Sequence, residues 1–274
     1  MATASLLLLL LLRSPTVWHM MAADPSERAA QIIEQAQRIA VLTGAGISTD
    51  SGIPDFRGPK GLWTLNPEAE KASDIRNYVS DPALRRRNWA SRARGELWAD
   101  AVPNPGHYAL AGLEKLGKLH TLITQNVDEL HQLAGSSPEL VVEIHGTTRK
   151  AACLDCGRRD EMEAVLERVR AGDDDPHCDL CGGLLKSATI SFGQPLVAED
   201  LQRAERAAAE CDAFLAVGTS LTVFPVCGTV DIARRSGAAI VILNLEPTPF
   251  DSIADVVLRH SISEALPRIV GIVD

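Results

Sequence analysis

Four cysteines, one histidine and a set of polar loops carry the chemistry this sequence can offer. Cys153 and Cys156 form one CxxC pair and Cys178 and Cys181 a second; Gly157 and Gly182-Gly183 follow them, as tight thiolate knuckles require. Four thiolates complete a tetrahedral zinc shell with no open position, so such an ion holds a module together rather than acting on a substrate. His177, beside Cys178, reads as an exposed neighbour, and Cys211 and Cys227, beside apolar runs, read as small buried hydrophobes. His145 ends the apolar run "LVVEI" and precedes Gly146, which lets another backbone or a ligand come close. An imidazole titrates near pH ~6.5 and can take a proton at neutral pH. A strand-end histidine alone is more often structural; here the case rests on its company.

That company is Gly44-Ala45-Gly46, Gln125-Asn126-Val127-Asp128 and Gly218-Thr219-Ser220. Asn126 and Asp128 suit orienting a water or ribose hydroxyls, and Asp128 equally suits capping a helix. No serine or cysteine pairs with His145 as a hydrolase would need, and no GK[ST] phosphate loop is present. Gly44 and Gly46 have dinucleotide-loop spacing, but Gly52 comes three residues late for GxGxxG, and Pro54-Asp55-Phe56-Arg57 crowds the loop.

The elements that must position these residues follow from the apolar pattern. A helix is expected from Pro25 to about Arg38, then a strand from about Ala40 to Thr43 feeding the glycine loop. Residues 62–100 turn polar and helical, and His107–Leu116 reads as a helix after the turn Asn104-Pro105-Gly106. "LHTLIT" precedes Gln125, "LVVEI" precedes His145, "AFLAVG" precedes Thr219 and "AAIVIL" precedes Asn244, with helical stretches at 161–170, 199–210 and 226–235. Strands alternating with helices imply a parallel sheet covered on both faces, with ligands beyond the carboxyl ends of its strands. Arg85-Arg86-Arg87 reads as a solvated helix face and Asp173-Asp174-Asp175-Pro176 as a loop tip.

At 274 residues the chain has room for one large α/β domain with an inserted module. A formal charge of −9 argues against a general nucleic-acid binder. Leu6–Leu12 is too short to span a bilayer and lacks the flanks of a signal peptide, so residues 1–24 are expected to lie outside the fold, with Met20 or Met21 as an alternative start. No membrane partner is expected; a cytoplasmic monomer is.

"GAGISTDSGIPDFRG", "TQNVDELH", "HG" followed by paired CxxC, "GTSLTVFPV" and "LN" together resemble the sirtuins, the NAD-dependent protein deacylases, over residues 27–272. The resemblance implies a Rossmann-type parallel sheet with a small domain made of a helical insertion and a zinc-ribbon insertion. The NAD-binding domain would take residues 25–57, 104–145 and 189–274, the helical insertion 58–103 and the zinc module 146–188. One structural Zn2+ would sit on Cys153, Cys156, Cys178 and Cys181, and NAD would act as co-substrate for acyl-lysine proteins.

By the same resemblance Gly44, Ala45 and Gly46 approach NAD, and the longer loop with Asp55, Phe56 and Arg57 clamps it. Phe56 would shield the ribose and Arg57 would meet phosphate. Asn126 and Asp128, flanked by Gln125 and Val127, would bind nicotinamide and ribose; Gly218, Thr219 and Ser220 would take phosphate or ribose. Asn244 and Leu245 would contact the adenosine ribose, and Ile262 would form the adenine wall. The acyl oxygen would attack ribose C1′ as nicotinamide leaves, giving an alkylimidate, with His145 as general base on the ribose hydroxyls. General-base help is worth ~10²–10⁴ in rate. The products would be lysine and O-acyl-ADP-ribose; the alternative is a protein mono-ADP-ribosyltransferase. Phe192 and Gly193 match the family's substrate loop. Family members that prefer succinyl or malonyl groups carry Tyr and Arg where this chain has Trp89 and Arg92, and the strand expected to pair with substrate reads Ser187-Ala188-Thr189-Ile190-Ser191.

Overall fold

The computed structural model describes residues 24–59, 61–96 and 100–272. The leucine run and all of the expected extension except Asp24 lie outside them. Asp24 itself belongs to the fold: its carboxylate accepts from Ser26 N at 3.0 Å and caps the first helix.

The strands are β1 (Ile39–Thr43), β2 (Leu119–Thr124), β3 (Val141–Glu143), β4 (Gly146–Cys153), β5 (Arg159–Glu161), β6 (Leu185–Thr189), β7 (Ala213–Val217), β8 (Ala239–Leu243) and β9 (Val256–Leu258). The helices are α1 (Pro25–Gln35), α2 (Leu62–Leu65), α3 (Pro67–Ala72), α4 (Ile75–Ser80), α5 (Pro82–Ala93), α6 (Pro105–Lys115), α7 (Leu130–Leu133), α8 (Met162–Arg170), α9 (Ala198–Glu210), α10 (Thr229–Arg235) and α11 (Ile262–Val270).

Six strands form one sheet in the order β3-β2-β1-β7-β8-β9, and every pairing in it is parallel. Its central strands are buried on both faces, which is why they read as unbroken apolar runs rather than alternating ones. Alternate residues divide between two cores. Ile39, Val41, Leu122, Leu215 and Leu243 face α1, α6 and α11; Ala40, Leu42, Ile123, Phe214 and Ile242 face α9 and α10. Burying each large side chain contributes about 1.5–3 kcal/mol, so the two layers hold the sheet from both sides.

The second sheet is a three-stranded antiparallel unit, β5-β4-β6, inserted between β3 and α9. With α5 and α8 it encloses a third core around Trp89, Ala151, Val165, Leu166 and Leu185. The strand order of the large sheet reverses at β1, which pairs with β2 on one side and β7 on the other. A crevice outside the carboxyl ends of the strands is expected at that reversal.

Candidate functional site

The loops after β1, β2, β3, β7 and β8 bring Gly44, Gln125, His145, Gly218 and Asn244 to one edge of the large sheet. The glycines there are required by close packing. A Cβ on Gly44 or on Gly46 would lie 2.7 Å from Gly218 backbone atoms, and one on Gly218 (φ +62) would lie 2.4 Å from Ile47 N. Gly44 N and Gly46 N donate to Val217 O and Gly218 O at 3.1 and 2.8 Å. Both N–H groups are thus taken by the protein; what these glycines leave a ligand is the space of a missing side chain.

His145 ends this edge half-buried, with Nδ1 3.0 Å from Gln125 O. A carbonyl only accepts, so Nδ1 carries the proton and the neutral ring keeps a lone pair on Nε2. Burial lowers the His145 pKa from its ordinary value, and the bond to Gln125 opposes this only in part. The ring is therefore neutral at neutral pH, in the tautomer a proton acceptor needs. Gln125 is itself fixed: its backbone N donates to Thr43 O at 2.9 Å and its side-chain amide to Thr219 Oγ1 at 2.8 Å.

Beneath this lies a polar network around Ser48. Asn126 Nδ2 donates to Gly44 O at 3.1 Å and to Ser48 Oγ at 3.0 Å. Because Gly44 O can only accept, the amide orientation is determined, and Asn126 Oδ1 is left as an acceptor. Ser48 Oγ donates to Asp128 Oδ2 at 2.8 Å and lies 3.4 Å from His107 Nε2. His107 Nδ1 accepts from Asn104 N at 3.3 Å, so Nε2 bears the proton and points it at Ser48. Burial lowers His107 to about 4 and keeps it neutral. Asp128 Oδ1 accepts from Leu130 N at 3.0 Å ahead of α7, and burial raises the Asp128 pKa against the pull of its donors. Ser48, Asn104 and His107 were not singled out by the sequence reading; the only signal was their place beside the glycine loop and the Asn104-Pro105-Gly106 turn.

On the other side of the edge is a cavity of ≈ 200 Å³. Five expected cofactor residues, Gly46, Asp55, Asn244, Leu245 and Ile262, line it, and Asp50 and Glu246 join them unforeseen. Ile262 is the first residue of α11 and is buried. Ser220 is exposed, with Oγ 2.8 Å from Thr222 Oγ1. Asp55 also accepts from Gly58 N at 2.8 Å, closing the loop on itself. Phe56 packs on Trp63 at 4.6 Å between ring centres, Trp63 on Phe192 at 5.4 Å, and the Arg57 guanidinium lies 4.5 Å over the Trp63 ring. Trp63 therefore joins the expected cofactor loop to the expected substrate loop. Gly193 (φ +84) turns the chain after Phe192.

Packing bears on three features expected to meet substrate: Trp89, Arg92 and the strand that begins at Ser187. Trp89 does not face open space: it is 1 % exposed in the third core, driven there by its apolar ring. Arg92 is half-buried: it donates to Asn88 Oδ1 at 2.9 Å and to Ser187 Oγ at 3.2 Å, and burial lowers it to about 10. On the strand expected to pair with substrate, Ser187 O and Thr189 O each already accept one bond from Lys186 Nζ, at 3.1 and 2.7 Å.

The four cysteines converge as their spacing requires. Their sulfurs all lie within 4.8 Å of one another, with Cys153 to Cys181 at 3.5 Å and Cys156 to Cys178 at 3.8 Å. A tetrahedron of thiolates with Zn–S near 2.3 Å has edges of about this length, so the set fits one structural zinc ion.

A doubly wound sheet with a glycine-lined crevice at its strand-order reversal and a four-thiolate module inserted after β3 defines a nucleotide-binding α/β protein. A sequence model of the Sir2 family matches residues 44–225. A Streptomyces coelicolor protein named NAD-dependent protein deacetylase 2 is 50% identical over 231 residues, which is 84% of this chain and 95% of that protein. A Rhodopseudomonas palustris NAD-dependent protein deacetylase is 45% identical, with 89% and 96% of the two chains covered. A solved structure described as "Structural Basis for the Mechanism and Regulation of Sir2 Enzymes" superposes with a TM-score of 0.80 at 40% identity, covering 90% of this chain and 97% of the other. Another, "Sir2 bound to acetylated peptide", gives 0.78 at 32% identity, covering 90% and 99%. The chain belongs to the Sir2 family.

Proposed function

We propose that this chain removes acetyl or related acyl groups from protein lysine with NAD as co-substrate, releasing nicotinamide and O-acyl-ADP-ribose. The relatives named NAD-dependent protein deacetylase support the reaction, and the Sir2 structure bound to acetylated peptide supports the substrate class. Bound NAD supplies an electrophilic ribose carbon and hydroxyls that accept the acyl group. The observation that carries the reading for this chain is the bond from His145 Nδ1 to Gln125 O, which leaves Nε2 bare and neutral at the sheet edge.

In this reading Nε2 of His145 takes the proton of a ribose hydroxyl as its oxygen turns on the acyl carbon. Asn126 offers Oδ1 to the nicotinamide amide, and Asp128, held by Ser48 and Leu130, meets ribose. Gly44, Ala45, Gly46, Gly218, Thr219 and Ser220 admit the diphosphate, while Asn244, Leu245 and Ile262 bound the adenosine end of the cavity. Phe56, stacked on Trp63, keeps water from the broken bond, and Arg57, over the same ring, meets phosphate. Val127 flanks the nicotinamide and ribose contacts, and Phe192 and Gly193 form the mouth on the acyl-lysine side.

The zinc ion holds the β4–β6 module together and takes no part in the reaction. The proposed compartment is the cytoplasm, where thiols stay reduced and free to hold a metal. A monomer is the proposed working form. Among the described residues, no helix is long and apolar enough to cross a membrane.

The test is incubation with NAD and an acetyl-lysine peptide, followed by mass spectrometry. O-acetyl-ADP-ribose and free nicotinamide are expected. ADP-ribosylated protein without that product would replace the reading with a mono-ADP-ribosyltransferase.

A further inference from the structure

Lys186 is 4 % exposed, on the outer strand of the three-stranded sheet. Among the described residues no carboxylate accepts from its nitrogen, and the nearby charge is a second cation, Arg92. Burial, then Arg92, lowers the Lys186 ammonium to about 7. Charge pairing is thus not what keeps a lysine here. Its nitrogen instead donates to Ser187 O at 3.1 Å, Thr189 O at 2.7 Å and Thr189 Oγ1 at 3.0 Å.

The bond to Thr189 O has a partner across the same peptide group. The N–H of that group belongs to Ile190 and donates to His145 O at 2.7 Å. One planar amide therefore lies between the Lys186 nitrogen and the backbone of His145. The next residue, Gly146, pairs with Thr189 and has no room for a side chain, since a Cβ would sit 2.1 Å from Ala188 O. The imidazole end of His145 is set by Gln125 O; its main-chain end is set by this amide.

We propose that Lys186 is a positioning residue for His145, acting through the Thr189–Ile190 peptide group. This rests on the deacetylase reading, in which the placing of His145 Nε2 limits turnover. Losing a buried hydrogen bond leaves its acceptor unsatisfied, and a small displacement of a general base is costly in rate. Arg92 reaches Ser187 Oγ and not the Thr189–Ile190 amide, so it does not replace Lys186 in this chain of bonds.

The experiment compares wild type, Lys186→Met and Lys186→Arg, each with zinc content and melting temperature measured. Lys186→Met is expected to lower kcat roughly tenfold while KM for NAD stays within about twofold. The His145 ring titration, followed by NMR, should move in Lys186→Met, and Lys186→Arg should recover kcat to within about threefold by restoring a donor. Wild-type kcat with an unmoved titration in Lys186→Met overturns the inference. So does a loss of kcat that comes with loss of zinc and a lowered melting temperature, unrelieved in Lys186→Arg. If Lys186→Met does not fold, Lys186→Gln decides by the same kcat and titration criteria. If wild type releases no nicotinamide, the deacetylase reading fails, while the titration still reports whether Lys186 sets His145.

Discussion

Arg85 of α5 holds both carboxylate oxygens of Asp175, with Nε at 2.9 and 3.2 Å and Nη2 at 2.8 Å. The two side chains are only 7% and 13% exposed. Nη1 adds bonds to Tyr78 O at 3.2 Å and Val79 O at 2.8 Å. One guanidinium thus ties the end of α4, α5 and the loop before Cys178 into a single block. The carboxylate hydrogen bond is the main cause that raises Arg85 above its usual pKa.

Removing one partner of such a pair leaves a buried, unpaired charge. Arg85→Met is therefore expected to destabilise the protein by about 3–5 kcal/mol. The double variant Arg85→Met with Asp175→Leu should regain much of that loss, because no lone charge remains. Urea unfolding at neutral pH measures both. Equal losses in the single and double variants would show that shape, not charge, dominates here.

This pair also marks where sequence reading stops. Apolar runs located β1, β2, β7 and β8, because strands buried on both faces leave a continuous apolar trace. The CxxC pairs and the polar residues that follow each strand were legible for the same local reason. Arg85 looked like part of a solvated run and Asp175 like a loop tip, since 90 residues separate them and only the fold joins them. Ser48 escaped similarly, since its meaning lies in a bond to Asp128 80 residues away; His107 is local, closing a capping box on Asn104, but that motif is ordinarily sought with Glu or Gln rather than histidine. Trp89 was expected to meet the acyl group and lies buried in the third core, because a lone tryptophan does not reveal which face of its helix is covered.

His145→Ala should leave zinc content and melting temperature near wild type and lower deacetylation by ~10²–10⁴. The wild-type pH profile gives an independent check. Only the neutral ring accepts a proton, so activity must fall as pH drops through the His145 pKa. Burial has moved that value below its ordinary one, so the acid limb should be centred below pH ~6.5. A limb centred above that, or near-full turnover in His145→Ala, removes the residue from the mechanism.

Metal removal should act on structure first. Trp89 shares its core with Cys153 and Cys178, so losing the ion opens the packing around the indole. A strong chelator, or Cys153→Ser, should red-shift the tryptophan emission and release one zinc per chain. The same treatment of Trp89→Phe should give a much smaller shift. Zinc release without any change in the module would show that the thiolates do not carry its fold.

Glu143, two residues before His145, sets a pH dependence of opposite origin. Its Oε1 is buried without a partner. Burial first, then Glu129, raise its pKa to about 7, with Asp128 adding to the rise and Gln132 opposing it. The folded value lies above the unfolded one, near ~4.3, so the folded state binds this proton more tightly. The resulting stability is complete below the unfolded value and is lost as pH rises through about 7. Glu143→Gln keeps the shape and cannot ionise, so it escapes that loss. At pH ~5 the variant and wild type should melt together; at pH ~8.5 the variant should melt higher, by ~3 °C. His107 and His131, whose pKa values burial lowers, pull wild-type stability the other way in acid, but they are present in both proteins and cancel in the difference. A gap that stays constant across this range means that Glu143 does not change protonation on folding, and its unpartnered oxygen must then be satisfied by water.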